Sequence, residues 1–152
     1  MIFRGAATAL VTPFKENGDV DYEAYEDIID YQLENSIDAL VVAATTGEAP
    51  VLTKEEKIKL IEIAMEKSNG KTPVIVGTGS NITSKAVESS KLMSDIGVDG
   101  LLVVTPYYNK ATKKGLFEHY RLIAEAVDTP IILYTVPGRT GMTIPLETVA
   151  EL

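Results

Sequence analysis

Five short apolar runs recur along this chain, and their spacing constrains the fold more than any other feature. They occupy residues 6–11, 39–44, 74–76, 101–104 and 131–134. Successive runs lie on the order of 30 residues apart, about one βα unit each. Most do not alternate polar with apolar residues. Val-Val-Ala-Ala, Val-Ile-Val and Leu-Leu-Val-Val read as strands buried on both faces, the pattern of a parallel sheet.

Amphipathic segments fill the gaps. Tyr22, Tyr25, Ile28, Ile29 and Leu33 form one apolar stripe at helical spacing. Thr53-Lys54-Glu55-Glu56 is a capping box, and it predicts a helix with Ile58, Ile61 and Met65 on one side, ending near Gly70. A third helix is predicted over residues 83–96, stopped by Gly97. Leu116, Phe117, Tyr120, Ile123, Ala124 and Val127 mark a fourth. Pro145 suits the first turn of a fifth, with Leu146, Val149 and Leu152 facing one way. The order is five strands alternating with four complete helices and one begun. It fits a doubly wound open sheet or the start of a (β/α)₈ barrel. A complete barrel needs about 250 residues, and the chain has 152. It is expected to supply about five of eight units as one partial barrel domain, residues 1–152, with no internal boundary. An end inside a helix whose apolar face has barely begun is odd for a finished domain.

Composition excludes several functional classes. With no cysteine, disulfides, thiolate nucleophiles and zinc ribbons are ruled out together. The single histidine, His119, cannot build a histidine-based metal site, and its place in a helical stretch predicts a surface or half-buried residue. A net charge of −8 with 14 basic residues argues against nucleic-acid binding. No apolar run approaches the roughly 18 residues that span a bilayer, and the first residues lack a signal-peptide pattern. A cytoplasmic protein that uses neither membrane nor nucleic acid is expected.

The unusual residues follow the strand ends. They are Thr12-Pro13, Thr45-Thr46-Gly47-Glu48, Gly77-Thr78-Gly79-Ser80-Asn81, Thr105-Pro106-Tyr107-Tyr108-Asn109 and the run from Tyr134 to Gly141. Ligands bind at the C-terminal edge of parallel sheets in both candidate architectures. Loops of this kind also favour Gly, Pro, Thr and Asn for turn chemistry alone, so residues 77–81 fit a turn as well as a site. Thr45-Thr46-Gly47 sets two hydroxyls beside a glycine, suiting an anion-binding nest for a small carboxylate or an ordinary turn. Tyr107 and Tyr108 suit a packed aromatic pair. Tyr134 puts a phenol at a strand end, where it can act as acid or base. Arg139 is the one arginine in a strand-end loop, and a guanidinium grips a carboxylate bidentately. Gly77-Thr78-Gly79 lacks the third glycine of a dinucleotide fingerprint, and no Walker loop is present.

Taken together, these segments resemble the dihydrodipicolinate synthase family over the whole chain. Thr-Thr-Gly-Glu marks the wider superfamily of pyruvate-dependent aldolases and lyases; Pro-Gly-Arg-Thr-Gly is narrower. One departure is Thr135, where the family usually has asparagine. The resemblance implies a Schiff-base mechanism. Pyruvate forms an imine with a lysine, becomes an enamine and attacks aspartate semialdehyde. It further implies that Thr46 and neighbouring amides, Gly47 included, hold the pyruvate carboxylate. Thr45, Tyr108 and Tyr134 would form a proton relay, with Tyr108 reaching into a neighbouring subunit, and Arg139 would bind the semialdehyde carboxylate. No metal and no organic cofactor is implied.

The family's imine-forming lysine belongs on a sixth strand, which is not among these five. Lys110 is the lysine nearest a strand-end motif, but a solvated loop ammonium stays charged and is a poor nucleophile. The isolated chain is therefore expected to be inactive. Its expected partner is a second copy, in a dimer or tetramer, or a complementing C-terminal half. The alternatives are another pyruvate aldolase or keto-acid lyase of the superfamily, and a non-catalytic half-barrel. Lysine-inhibited members of the family resemble one another in a glutamate where this chain has Lys85 and a histidine where it has Lys57. Insensitivity to lysine is the implied outcome.

Overall fold

The computed structural model describes residues 2–152. The strands are β1 (Ala7–Ala9), β2 (Ala39–Val42), β3 (Val74–Gly77), β4 (Gly100–Val104) and β5 (Ile131–Tyr134). They follow chain order in a five-stranded sheet, and β1/β2, β2/β3 and β4/β5 pair in parallel. The helices are α1 (Tyr22–Glu34), α2 (Lys54–Ser68), α3 (Thr83–Ile96), α4 (Lys113–Ala124), α5 (Pro137–Thr140) and α6 (Leu146–Glu151). No helix among the described residues is long and apolar enough to cross a membrane. The chain divides into two compact units, Met1–Gly77 with Val98–Gly100, and Thr78–Gly97 with Leu101–Leu152.

In the first unit the core strands behave as their sequences require. Ala39, Leu40, Val42, Val74, Ile75 and Val76 are all buried, because a parallel strand loses water from both faces. The first strand is shorter than its apolar run. Ala7 and Ala9 are exposed, and small side chains add little packing. At its start the Asp38 carboxylate accepts the Ala6 N–H at 2.8 Å, so a side chain replaces the ladder. Helix α1 is capped by Asp21, whose carboxylate accepts the Ala24 N–H, and it buries Tyr25 and Ile29. The capping box of Thr53 and Glu56 is formed. The inward face of α2 departs from the expected stripe. Leu60, Ile61, Ala64 and Ser68 are buried, whereas Ile58 and Met65 are half-buried. Ser68 turns inward without penalty because its hydroxyl donates to Met65 O at 3.0 Å.

In the second unit, α3 ends at Gly97 with φ +94°, the left-handed cap that glycine adopts without strain. Helix α4 starts at a Thr112 cap and buries Leu116, His119, Tyr120 and Ile123. Tyr120 donates its hydroxyl to Val103 O at 3.1 Å, tying α4 to β4. His119 is not a surface residue. It is buried, with Nδ1 2.9 Å from Thr83 Oγ1, and that bond allows a polar ring on an otherwise apolar face. All four residues of β5 are half-buried rather than buried; within its unit this strand has one neighbour, β4. Pro145 is the N-cap of α6 rather than part of its first turn. Leu146 and Val149 are exposed, and Thr148 is the residue that turns inward.

Candidate active site

The turn after β2 is built by two left-handed residues and a glycine in contact with neighbouring backbone. Ala43 has φ +49° and Glu48 φ +53°, conformations that cost non-glycine residues about 1 kcal/mol or more. The chain reverses between them: Glu48 N–H donates to Thr45 O and Ala49 N–H to Ala44 O, both at 3.2 Å. Gly47 is buried, and a Cβ there would stand 3.0 Å from Leu10 O. The Thr12 hydroxyl, also buried, donates to Gly47 O at 2.7 Å. Thr12 therefore locks the turn. Its hint in the sequence was slight, one hydroxyl before a proline at a strand end. Thr45 is half-buried and Thr46 exposed. Among the described residues no backbone carbonyl accepts from the Thr46 or Gly47 amides. Free amides beside hydroxyls are what an anion-binding turn requires.

In the second unit, three loops follow β3, β4 and β5. Gly79 lies directly on β4, since a Cβ there would be 2.6 Å from Val104 N. Packing thus accounts for this glycine, a point that turn chemistry left open. After β4, Asn109 N–H donates to Tyr107 O at 2.9 Å across Tyr108, whose φ is +70°. That is a γ-turn, a strained conformation for any residue with a side chain. Tyr108 is consequently thrown out to 92% exposure, so it is not half of a packed pair with half-buried Tyr107. Asn109 anchors the loop by donating Nδ2–H to Asn81 O at 3.1 Å.

Tyr134 ends β5 beside Val104, and its carbonyl accepts the Thr105 N–H at 3.1 Å. Its phenol is not hydrogen-bonded to that of Tyr108. Arg139 sits on the short helix α5, which the sequence did not announce. Pro137 opens α5, Gly141 closes it at φ +69°, and the Thr140 hydroxyl lies within hydrogen-bond reach of carbonyls on both sides, Val136 O at 3.2 Å and Met142 O at 3.0 Å, with one proton to give to either. Arg139 is exposed, and among the described residues no carboxylate pairs with it. Arg121, in contrast, is bound by Glu118 at 2.7 Å and Glu125 at 2.6 Å. The guanidinium of Arg139 is therefore free to take an external carboxylate.

The first unit thus presents Thr45, Thr46 and Gly47 on one turn, and the second presents Tyr108 in the loop after β4, Tyr134 at the end of β5 and Arg139 on α5. A groove between α1 and α2, lined by Glu26, Ile63, Glu66 and Lys67, offers no such chemistry. Its lysine is already held by Glu26 at 3.2 Å and Asp30 at 2.7 Å. Among the described residues no cluster of His, Asp or Glu is arranged to hold a metal ion.

Comparison with known proteins gives a consistent answer. The model of the dihydrodipicolinate synthetase family matches residues 2–152. A 4-hydroxy-tetrahydrodipicolinate synthase of Alkaliphilus oremlandii is 54% identical over 151 residues, 99% of this chain and 52% of that relative. The crystal structure of the dihydrodipicolinate synthase of Thermotoga maritima superposes with a TM-score of 0.96 at 50% identity, covering 99% of this chain and 51% of that one. The chloride-inhibited synthase of Acinetobacter baumannii, solved with pyruvate, superposes with a TM-score of 0.96 at 42% identity, covering 99% and 52%. The chain spans about half the length of the relatives it matches, and its α/β sheet is the N-terminal portion of their (β/α)₈ barrel. It belongs to the dihydrodipicolinate synthetase family.

Proposed function

We propose that this chain is part of a lyase that condenses pyruvate with aspartate semialdehyde, in the biosynthesis of diaminopimelate and lysine. The observation that supports this most is Arg139, an unpaired guanidinium on a turn braced by Thr140. A sugar lyase has no need of a carboxylate clamp at that position. The relative solved with pyruvate supports a keto-acid as the first substrate. In this reading the Thr46 and Gly47 amides hold the pyruvate carboxylate, and Arg139 takes the carboxylate of the semialdehyde. Thr45, Tyr108 and Tyr134 pass the protons released and taken up as the imine becomes an enamine and the new C–C bond forms. The imine is carried by a lysine outside these five strands, which makes the isolated chain inactive, and no metal or organic cofactor enters. The chain acts as a single partial barrel domain in the cytoplasm, within a homo-oligomer whose contact includes the exposed Tyr108 or with a complementing C-terminal half.

The test uses a chain that also carries the remaining barrel strands. Arg139→Ala should lower kcat/KM for the semialdehyde by about 10- to 100-fold, the loss of a charge-assisted bidentate pair, and leave the KM for pyruvate unchanged. Tyr134→Phe should lower kcat by about 100-fold or more. Unchanged kinetics in either variant would reject the role given to that residue. Equal turnover of aldehydes with and without a carboxylate would reject the synthase reading.

A further inference from the structure

The loops of the second unit show a charge pattern that these roles leave unexplained. The chain has 22 acidic and 14 basic side chains. Yet residues 78–82, 105–112 and 135–145, which follow β3, β4 and β5, contain no aspartate or glutamate. Their only charged residues are Lys110 and Arg139. The carboxylates of this unit lie instead on α3, α4 and α6 or just after α4. A cation-only patch on an acidic protein draws anions to itself and repels cations.

The backbone that carries Lys110 is anchored, although its side chain is exposed. Lys110 follows the γ-turn at Tyr108 and the anchored Asn109, and has φ +36°. Its side chain lies against Gly141, two residues beyond Arg139. A methyl group built on Gly141 would meet Lys110 Cε at 3.1 Å and Nζ at 3.8 Å. Glycine is favoured there by its φ of +69°, and its missing side chain leaves room for the lysine end that lies over it. Among the described residues no carboxylate lies within ion-pair reach of Lys110, whereas Lys113, three residues on, faces Glu147 and Glu151 at 3.9 Å. Neither Lys110 nor Arg139 has a carboxylate partner among the described residues, and an external anion would gain from both charges.

We propose that Lys110 is a second cation of the carboxylate site centred on Arg139. The guanidinium fixes the carboxylate's orientation, and the ammonium over Gly141 adds attraction and selects acidic aldehydes over neutral ones. The proposal rests on the reading that Arg139 binds the carboxylate of the second substrate. The charge that makes Lys110 a poor nucleophile makes it a good anchor.

The experiment titrates the ¹⁵N-labelled 152-residue chain with succinate semialdehyde, and with butanal as the probe lacking a carboxylate. The Lys110 and Gly141 amides are followed. Saturable shifts are expected with the acid only. Lys110→Gln should weaken binding about fivefold and flatten its salt dependence. Lys110→Arg should keep both, and Lys114→Gln should change neither. Equal affinity and salt dependence in Lys110→Gln, equal shifts with butanal, or no saturable shift at all would each overturn the proposal. Because this readout needs no turnover, it separates from the synthase reading. If acid binding depends on Lys110 but the complete barrel condenses a different acidic aldehyde, the synthase reading falls and the Lys110 assignment stands.

Discussion

His119 shows how much can rest on one side chain. Its ring is buried, its Nδ1 is bonded to Thr83, and its Nε2 is buried with no partner. The ring packs edge-on against Tyr120, centroids 5.4 Å apart. Burial pushes its pKa below the ordinary histidine value of about 6.5. Its contribution to stability is therefore complete above about pH 6.5. It is lost as the pH falls toward the folded-state value, because the unfolded chain takes up the proton first. One proton limits the slope to about 1.4 kcal/mol per pH unit. Since this is the only histidine in the chain, His119→Gln should flatten the pH dependence of the urea midpoint between about pH 7 and pH 5. A variant whose midpoint falls with pH as steeply as the parent's would show that the ring is not the titrating group.

At the scale of elements, the first unit uses one clamp twice. Asp38 N–H donates to Ala6 O at 3.1 Å while its carboxylate accepts the Ala6 N–H. Asp99 N–H donates to Val74 O at 3.0 Å while its carboxylate accepts the Val74 N–H at 2.8 Å. Each aspartate, just before a strand, ties down the start of the strand before it. The two clamps differ in what water can replace. Ala6 is exposed, whereas Val74 is 1% exposed. Asp99→Ala leaves a buried amide unsatisfied and should cost about 1–3 kcal/mol. Asp38→Ala should cost under about 1 kcal/mol, since solvent takes over the Ala6 amide. Chemical denaturation of the two variants measures both, and equal losses would mean that burial does not set the difference. Asp99→Asn, which keeps an acceptor, should recover most of the loss.

For the whole molecule, the chain should form no imine with pyruvate. Every lysine lies on a helix or in a loop and none on a strand; burial lowers the pKa of Lys57, but that residue sits on α2 and not at a strand end, whereas an imine-forming lysine needs to be desolvated at the site itself. Borohydride trapping with pyruvate should add no mass to the chain, and an adduct on any lysine would contradict this. A longer enzyme with this sequence should also be insensitive to lysine. Lys85 is exposed on α3 and stands where lysine-inhibited relatives are expected to have a glutamate; an ammonium there repels the ligand's own. Like charges about 4 Å apart cost on the order of 4 kcal/mol near a surface before salt screening. Steady-state assays at millimolar lysine should show unchanged rates, and saturable inhibition would overturn the expectation.

Local chemistry was enough to determine most of the elements, the short helix α5 excepted. The apolar runs specified all five strands, though only β2 and β3 are largely buried on both faces, the Thr53–Glu56 box opened α2, and Gly97 closed α3, because each signal acts within a few residues of its effect. The strand-end loops were legible for the same reason, with Tyr134 and Arg139 unusual among turn residues, whereas Thr45-Thr46-Gly47 read equally as an ordinary turn. Only the tertiary structure decided which polar groups turn inward. Thr12 lies 35 residues from the turn that it locks, and His119 lies 36 from the threonine that satisfies it. Nothing local marks either pairing. The γ-turn at Tyr108, with Lys110 laid over Gly141, was hidden likewise, because a left-handed tyrosine and lysine are conformations that local propensity disfavours and that packing and anchoring bonds must impose.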